Sequence, residues 1–520
     1  KSLKVVGKLS KFLTAVIIAT FAFVPLANAC EKYQIKEIQK VLSSIGQNVG
    51  PVDGLFGAKT KAAFEKLKIK PSSPTSEVEC NDALSSALEH LNDHTVKILP
   101  FTSTTNFKTA TSKFHSAIRY LYPINLDSDP EQEILIAGFE SQGSPHNNPG
   151  GTFLHIFDWN KSGYLVNATE RFVQNNQFGG VGEIVAGDFN GDGKNDLFLS
   201  GYTDSTYEVG VEVLYGGDGE FYRTTIDKAG WQHGAAVGDL NNDGFDDIIA
   251  TGYHTAPAVY IGSPTGLTKF NWHSRTFPNG SGVEISDLDG DQKPEVIISD
   301  NSKNNQAQKY DVNIYAVKVN SSAKIVSLSR ISSLPKPELE NDFWSEYFRT
   351  KSRKSHDIRI RSIDLNSDGS ADLVLFSVAR NAFKGSDRNL SNVQVFLNKG
   401  NFQFSDATNI FLIGYRNRTN VSYSPIFHDI NSDGHPDLYS SEHDFDGFAD
   451  SLQIFLSKAG KKLVALPESE TTKLLKASAS REISTVVLGH RNKNYIVRHV
   501  INGHGINLEE YLAYHELIFE

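Results

Sequence analysis

GDFNGDGKNDLFLSG, Gly187 to Gly201, places oxygen-bearing side chains at alternate positions of a tight loop and then runs into a short apolar stretch. Asp188, Asn190 and Asp192 alternate, Gly193 offers a sharp bend, and Asp196 closes the loop. The arrangement returns as GDLNNDGFDDIIATG, Gly238 to Gly252. Alternating oxygen donors suit a hard cation, since Ca2+ takes about six to eight oxygen ligands at roughly 2.3 to 2.6 Å. Apolar runs as short as LFLS and IIAT, rich in β-branched and aromatic residues, read as buried strands rather than helices. The loop therefore feeds a strand.

Six copies of this nine-residue pattern lie along the chain, with acids or amides at positions one, three and five and an acid at nine. They are Asn125, Asp127, Asp129, Glu133; Asp188, Asn190, Asp192, Asp196; Asp239, Asn241, Asp243, Asp247; Asp287, Asp289, Asp291, Glu295; Asp364, Asn366, Asp368, Asp372; and Asp429, Asn431, Asp433, Asp437. Position six is Gly193, Gly244, Gly369 or Gly434 in four copies, but Pro130 and Gln292 in the loops at Asn125 and Asp287. Any one copy could be an ordinary turn, because Asp, Asn and Gly dominate turns without a metal. A turn, however, does not require oxygens at four fixed positions, and six copies in register point to as many as six Ca2+ sites. An EF-hand needs a bidentate Glu at position twelve; Leu199, Ala250, Leu375 and Ser440 stand there instead.

From about Thr95 to the C-terminus the chain resembles the FG-GAP/VCBS repeat proteins, a family that includes integrin α heads and bacterial surface proteins. The resemblance implies an all-β propeller in which each repeat is one four-stranded blade and the calcium loop joins two of its strands. Successive loops lie 63, 51, 48, 77 and 65 residues apart, a blade-sized period. The long fourth interval contains a polar and basic insertion over 318–357, including FWSEYFRTKSRK. Beyond the sixth loop, VVLGHRNKNYIVRHV, Val486 to Val500, keeps a strand-loop-strand outline without acids and reads as a metal-free seventh blade. Seven blades are expected over 101–520, within the usual range for propellers.

The N-terminal segment reads differently. Lys4, Lys8 and Lys11 precede an apolar core, Phe12 to Val24, and Ala27-Asn28-Ala29 follows, so residues 1–29 read as a secretory signal peptide. Cys30 directly after that site leaves a lipoprotein as the alternative, although Ala27 stands where a lipobox has Leu. The apolar stretch is short for a membrane span. The protein is thus expected to be secreted, to the periplasm or surface of a bacterium. Cys30 and Cys80 are the two cysteines, and in an oxidising compartment they read as a disulfide. Closing such a loop stabilises a fold by roughly 3 to 4 kcal/mol in the chain-entropy view.

Between them, Ile35, Ile38, Leu42 and Ile45 recur at helical spacing, a Gly- and Pro-rich loop spans 46–57, and a second helix follows over 59–67. Residues 30–80 are similar to the peptidoglycan-binding type 1 domain on Gln39, Leu42, Gly46, Pro51-Val52-Asp53-Gly54, Phe56-Gly57 and Thr60, and depart at Phe64-Glu65. The resemblance implies peptidoglycan as a partner. KPSSPTSEVE, Lys70 to Glu79, reads as a linker, about 15 residues with helical character follow it, and 81–100 as a whole connects the two domains.

The net charge of −10 becomes −14 once the four lysines of the signal segment are removed, and six Ca2+ would bring it to about −2. Acidity is accounted for by metal loops, and nucleic-acid binding is not suggested. Nucleophile-elbow, zinc-protease, P-loop and dinucleotide fingerprints are missing from the contexts they need. His233, His428, His443 and His490 read as surface or turn residues. A further acidic stretch, Glu442 to Asp450, reads as a solvated loop, with a further cation site on Asp444, Asp446 and Asp450 as the alternative. The expectation is a binding or adhesion protein rather than an enzyme, anchored at the wall and presenting a propeller face to a glycan or protein ligand. A hydrolytic enzyme on a propeller scaffold and a structural subunit of a surface assembly are the alternatives.

Overall fold

A computed structural model describes residues 30, 32–92, 96–98, 103–107, 116–127, 129–140, 152–201, 210–217, 219–228, 232–252, 257–270, 280, 282–300, 311–320, 325–335, 355–379, 390–415, 426–440, 453–467, 469–471, 481–490, 493–502 and 509–519. The signal segment, the acidic stretch 442–450 and the aromatic and basic residues of 343–354 lie outside the described residues. The chain divides into two compact units, the first ending at Leu91 and the second starting at Asn92.

The second unit is an all-β propeller. Blade 1 comprises Ser116–Ile124, Glu133–Glu140, Thr152–Trp159 and Leu165–Asn167, with Gln177–Phe178 added beside the third strand. Blade 2 is Val181–Gly187, Asp196–Gly201, Gly210–Tyr215 and Tyr222–Lys228; blade 3 is Gln232–Gly238, Asp247–Gly252, Ala258–Ile261 and Thr268–Phe270. Blade 4 is Val283–Ser286, Glu295–Asp300, Asp311–Val319 and Ile325–Ser333; blade 5 is Ser355–Ile363, Asp372–Ala379, Leu390–Asn398 and Phe404–Asp406. Blade 6 is Ile426–His428, Asp437–Ser440, Gln453–Ser457 and Leu463–Ala465, with Leu412–Ile413 parallel to its last strand. Strands one to four of every blade pair antiparallel in sequence order, and each acidic loop joins strands one and two.

Among the described residues six blades are present, where seven were expected. The residues read as a seventh repeat, Val486 to Val500, belong to a differently built sheet: Arg481–His490, Lys493–Asn502 and Glu509–Phe519, with Val96–Ile98 and Ser103–Phe107 both pairing with Glu509–Phe519. Strands from the two ends of this unit complete that sheet, so no single repeat encodes it. The expected insertion over 318–357 is also narrower than read, because Ile325–Ser333 is the fourth strand of blade 4 and Ser355 opens blade 5.

The continuous apolar runs after each loop have a packing reason. Second strands such as Asp196–Gly201 and Asp247–Gly252 are buried at every position, because a neighbouring blade covers each face. Side chains alternate faces along a strand. Leu197 and Leu199 join the cluster shared with blade 1, around Leu154, Ile156 and Phe172, while Phe198 joins the cluster shared with blade 3, around Ile248 and Tyr260. Further clusters weld blades 3 to 4 and 4 to 5, and one large cluster joins blade 1, blade 6 and the terminal sheet through Phe157, Tyr439, Tyr495 and Tyr514. First strands of blades 2 and 3, 3 and 4, and 4 and 5 lie side by side, and the first strand of blade 1 lies beside Arg481–His490 of the terminal sheet.

Among its described residues the N-terminal unit has three helices, α1 (Lys32–Ser44), α2 (Ala58–Leu67) and α3 (Glu77–Glu89). Ile38, Val41 and Leu42 pack in its core with Phe64, Ala83, Leu84, Ala87 and Leu88, all buried. Lys68 ends α2 in the left-handed conformation at φ 56°, and Ser76 caps α3 by accepting from Glu79 N. Residues 81–89, within the stretch read as having helical character, are part of α3. The disulfide Cys30–Cys80 is formed, with Cα atoms 5.9 Å apart, and ties the start of the unit to that helix. No helix among the described residues is long and apolar enough to cross a membrane.

Candidate metal loops

The loops share one hydrogen-bond plan, and it gives the four oxygen positions unequal jobs. Position nine is a strand residue. Asp196, Asp247, Asp372 and Asp437 are fully buried, and each carboxylate accepts two backbone N–H groups in common, with Asn431 N as a third for Asp437. One comes from position two of its own loop: Phe189 at 3.0 Å, Leu240 at 3.0 Å, Leu365 at 3.1 Å and Ile430 at 2.8 Å. The other comes from the end of the third strand: Gly216 at 2.6 Å, Gly262 at 2.8 Å, Asn398 at 2.8 Å and Ser457 at 2.6 Å. Glu295 and Glu133 make the first of these bonds, to Leu288 and Leu126. Position nine thus clamps the loop to its blade whether or not a cation is bound.

Position one folds the loop over. Asp188, Asp239, Asp287, Asp364 and Asp429 each accept the N–H of position six through Oδ2, from Gly193, Gly244, Gln292, Gly369 and Gly434, at 2.8 to 2.9 Å. Gly193, Gly244, Gly369 and Gly434 have φ between 80° and 91°, where a Cβ is strained, and Gln292 adopts φ 65°. The amides at position three reach position five: Asn190, Asn241, Asn366 and Asn431 donate to Asp192, Asp243, Asp368 and Asp433 at 2.9 to 3.2 Å. Position five is exposed, and in each loop its N–H is bonded back to position three.

Electrostatics follow from this crowding. Burial pushes Asp196, Glu295 and Asp437 up to about 7, Asp247 and Glu133 up to about 8, and Asp372 up to about 6, and nearby loop carboxylates add to the rise. Carboxylate oxygens come within 4.8 Å of one another in Asp287, Asp289 and Glu295 and in Asp127, Glu133 and Asp158. Asp158 escaped the sequence pattern because it sits on the third strand, outside the nine-residue window. Oxygen-only donor sets of this kind select hard cations over those that prefer sulfur or imidazole. Of the five loops with the position-one clasp, the one at Asp287 also gathers three carboxylates, and those at Asp188, Asp239, Asp364 and Asp429 share its clasp and its exposed position-five acid. The loop at Asn125 departs: Pro130 has no N–H for position one, and the Asn125 amide donates to Asp129 O at 2.8 Å.

Neighbouring loops are joined. Asp246 Oδ2 accepts Asp188 N at 2.9 Å, Asn242 Nδ2 donates to Gln292 O at 2.8 Å, and Asn195 Nδ2 donates to Asn125 O at 2.6 Å. Nothing in the local motif announces these bonds, since they depend on blade-to-blade geometry.

A second polar cluster lies on the first strands. Glu183 of blade 2 pairs with Arg359 of blade 5 at 3.0 Å and accepts from Tyr122 of blade 1 at 3.4 Å, while Arg359 donates to His233 O of blade 3 at 2.8 Å. Glu284 of blade 4 accepts Ser362 N at 3.0 Å and Ser362 Oγ at 2.8 Å, with Arg361 at 3.8 Å. Sequence reading missed these residues, because their partners come from blades distant in the chain. His443 and the side chain of His490 lie outside what is described.

In the N-terminal unit, Gln39 organises the Pro51-Val52-Asp53-Gly54 loop. Its Nε2 donates to Asp53 Oδ1 at 3.2 Å, Leu55 O at 3.0 Å and Thr60 Oγ1 at 3.3 Å, and its Oε1 accepts Gly54 N at 2.9 Å. Gly54 has φ 76°, and a Cβ there would come within 2.5 Å of Lys32 O. Val52 and Leu55 are exposed beside it, 41% and 62%.

Comparison with known proteins agrees with the repeat. The FG-GAP-like repeat profile matches residues 188–250, 239–298 and 364–440, so the chain carries FG-GAP-like repeats. No curated protein matches the chain. Among solved structures, the V. cholerae biofilm matrix protein Bap1 is similar at 12% identity over 81% of this chain and 91% of that one, with a TM-score of 0.34. The Dos1 propeller is similar at 8% identity over 80% and 95%, with a TM-score of 0.36. A glycoside hydrolase is similar at 8% identity over 80% and 91%, with a TM-score of 0.30.

Proposed function

We propose that this is an exported binding or adhesion protein whose propeller is braced by calcium and presents a glycan- or protein-binding face, with the N-terminal unit docking to peptidoglycan. The observation that carries this reading is the division of labour in the loops. Position nine is bonded to backbone, position one folds the loop, and positions three and five offer oxygens on one bend whose position-five acid is exposed. Carboxylates committed in that way support a scaffold rather than a reaction. The inner acids Glu183 and Glu284 are likewise engaged, each facing an arginine, which does not favour a free acid pair for hydrolysis.

Calcium fits the donor set, and the disulfide fits an oxidising compartment. On the N-terminal unit, the loop held by Gln39, with Val52 and Leu55 exposed on it, is the surface that would meet the wall.

The test is a glycan array and a sacculus sedimentation assay on the purified chain, with and without calcium. Binding that depends on calcium for the array, and pelleting that falls several-fold in Val52→Asp/Leu55→Asp, supports the reading. Turnover of any glycan on the array by the purified protein would replace it with the hydrolytic one.

A further inference from the structure

Blades 1 and 5 close with the same six-residue turn, Asn167-Ala168-Thr169-Glu170-Arg171-Phe172 in one and Asp406-Ala407-Thr408-Asn409-Ile410-Phe411 in the other. Each contains a single helical turn, α4 (Thr169–Phe172) and α5 (Thr408–Phe411). The local bonds correspond one to one. Ala168 N donates to Ile156 O and Ala407 N to Val395 O, both at 2.8 Å. Thr169 Oγ1 accepts Ile156 N and Thr408 Oγ1 accepts Val395 N, both at 3.0 Å. Phe172 and Phe411 are both buried.

That correspondence aligns Arg171 with Ile410 and, two residues beyond Ile156 and Val395, Asp158 with Leu397. Blade 5, with a complete loop from Asp364 to Asp372, has apolar residues at both positions. Blade 1, with Asn125 and Pro130 in its loop, has an acid and a base.

The base is placed at the loop. Arg171 Nη1 lies 2.7 Å from Asp158 Oδ2, and Nη2 is paired with Asp127, the position-three oxygen of the loop. Its guanidinium carbon sits 4.2 Å over the Phe172 ring. The planar fork engages two carboxylates at once, a geometry that arginine meets better than lysine. Meanwhile the clasp found in the other five loops, position-one carboxylate to position-six N–H, cannot form with Asn125 and Pro130. The feature that would welcome an ion is Glu133 Oε1, a buried oxygen that accepts no hydrogen bond. Asp127 is where an ion and Arg171 would compete.

We propose that Arg171 is the resident cation of the first loop, so that the loop at Asn125 takes no metal ion and the chain binds five rather than six. This rests on the reading of the other five loops as calcium sites. The first loop is then permanently closed by a covalently attached charge, while the rest of the ring answers to calcium.

The test is the calcium content of the full chain after equilibrium dialysis, read by elemental analysis with folding checked by circular dichroism. Five ions are expected in the wild type, five in Asp127→Asn, and four in Asp192→Asn. Asn125→Asp/Pro130→Gly, with Arg171 kept, should stay folded at five, and adding Asp158→Leu and Arg171→Ile, which copies blade 5, should raise the count to six; six ions with Arg171 still present overturns its assignment. Six ions in the wild type with one lost in Asp127→Asn overturns the assignment of Arg171 while leaving the other loops as calcium sites. No calcium in any variant overturns both.

Discussion

Arg359 of blade 5 holds Glu183 of blade 2 at 3.0 Å, with both side chains almost excluded from solvent, at 10% and 4% exposure. The two residues sit on first strands of blades that are not neighbours, so the pair spans the axis around which those strands lie. Tyr122 from blade 1 and His233 O from blade 3 complete the cluster. Four blades are therefore cross-linked by one buried ion pair.

Breaking such a pair from one side leaves an uncompensated buried charge, which costs about 3 to 5 kcal/mol. Glu183→Gln and Arg359→Met are each expected to lower the melting temperature strongly, and the double variant to lose less than the two singles together. Chemical denaturation of all four proteins gives the coupling energy. Additive losses would show that the pair is not a unit.

Removing calcium should loosen the propeller. A ligand at 100 times its Kd stabilises the native state by about 2.7 kcal/mol per site, so several sites together should move the melting temperature by many degrees. The shift should reverse when excess Ca2+ is restored. A melting curve indifferent to chelation would remove calcium from the account.

Positions five and nine should separate in that experiment. Asp247→Ala strands two buried N–H groups, Leu240 and Gly262, at about 1 to 3 kcal/mol each. It should destabilise with or without calcium. Asp243 is exposed, so Asp243→Ala should cost stability mainly when calcium is present, and more than Asn190→Ala, which removes no charge. Equal losses for Asp243→Ala in both conditions would show that it is not a ligand.

The pH dependence has a definite sign. The position-nine carboxyls stand at about 6 to 8 in the folded protein, above the usual value of about 4 in an unfolded chain. The native state therefore holds more protons between those values, and stability of the metal-stripped protein should fall as pH rises from about 4 to about 8. Bound calcium favours the ionised form and should flatten or reverse that slope. Thermal melts from pH 4 to 8, stripped and loaded, check both arms. A stripped protein that grows more stable over this range would contradict the burial of these groups.

The N-terminal loop gives a separate test. Gln39→Leu removes four bonds at once and leaves Gly54 N and Leu55 O without their partner, so it should unfold the loop and lower sedimentation with sacculi, while the propeller keeps its calcium-dependent melt. Loss of that melt in the same variant would mean that the substitution disrupts more than its own unit.

Much of this protein is written locally. Acids at positions one, three, five and nine, a bend at six and an apolar run after nine describe a loop and the strand it feeds, and all of those interactions fall within nine residues and one hydrogen-bond plan. The cysteine pair and the helix bearing Ile38 and Leu42 were legible for the same reason of short range or simple count. What only the tertiary structure decided lies between segments. Position nine reads as a ligand in sequence, and only the structure shows that its carboxylate also accepts backbone N–H groups, one of them from a third strand about twenty residues on. Asp158 and Arg171 read as ordinary polar residues until the closing turn of blade 1 brings them to Asp127, and Glu183 and Arg359 become partners when blades 2 and 5 face each other. The last sheet needs strands from both ends of its unit, so no repeat could forecast it, and the blades among the described residues number six. Periodicity reports which side of its own strand a residue faces; it carries no information about what stands across from that face.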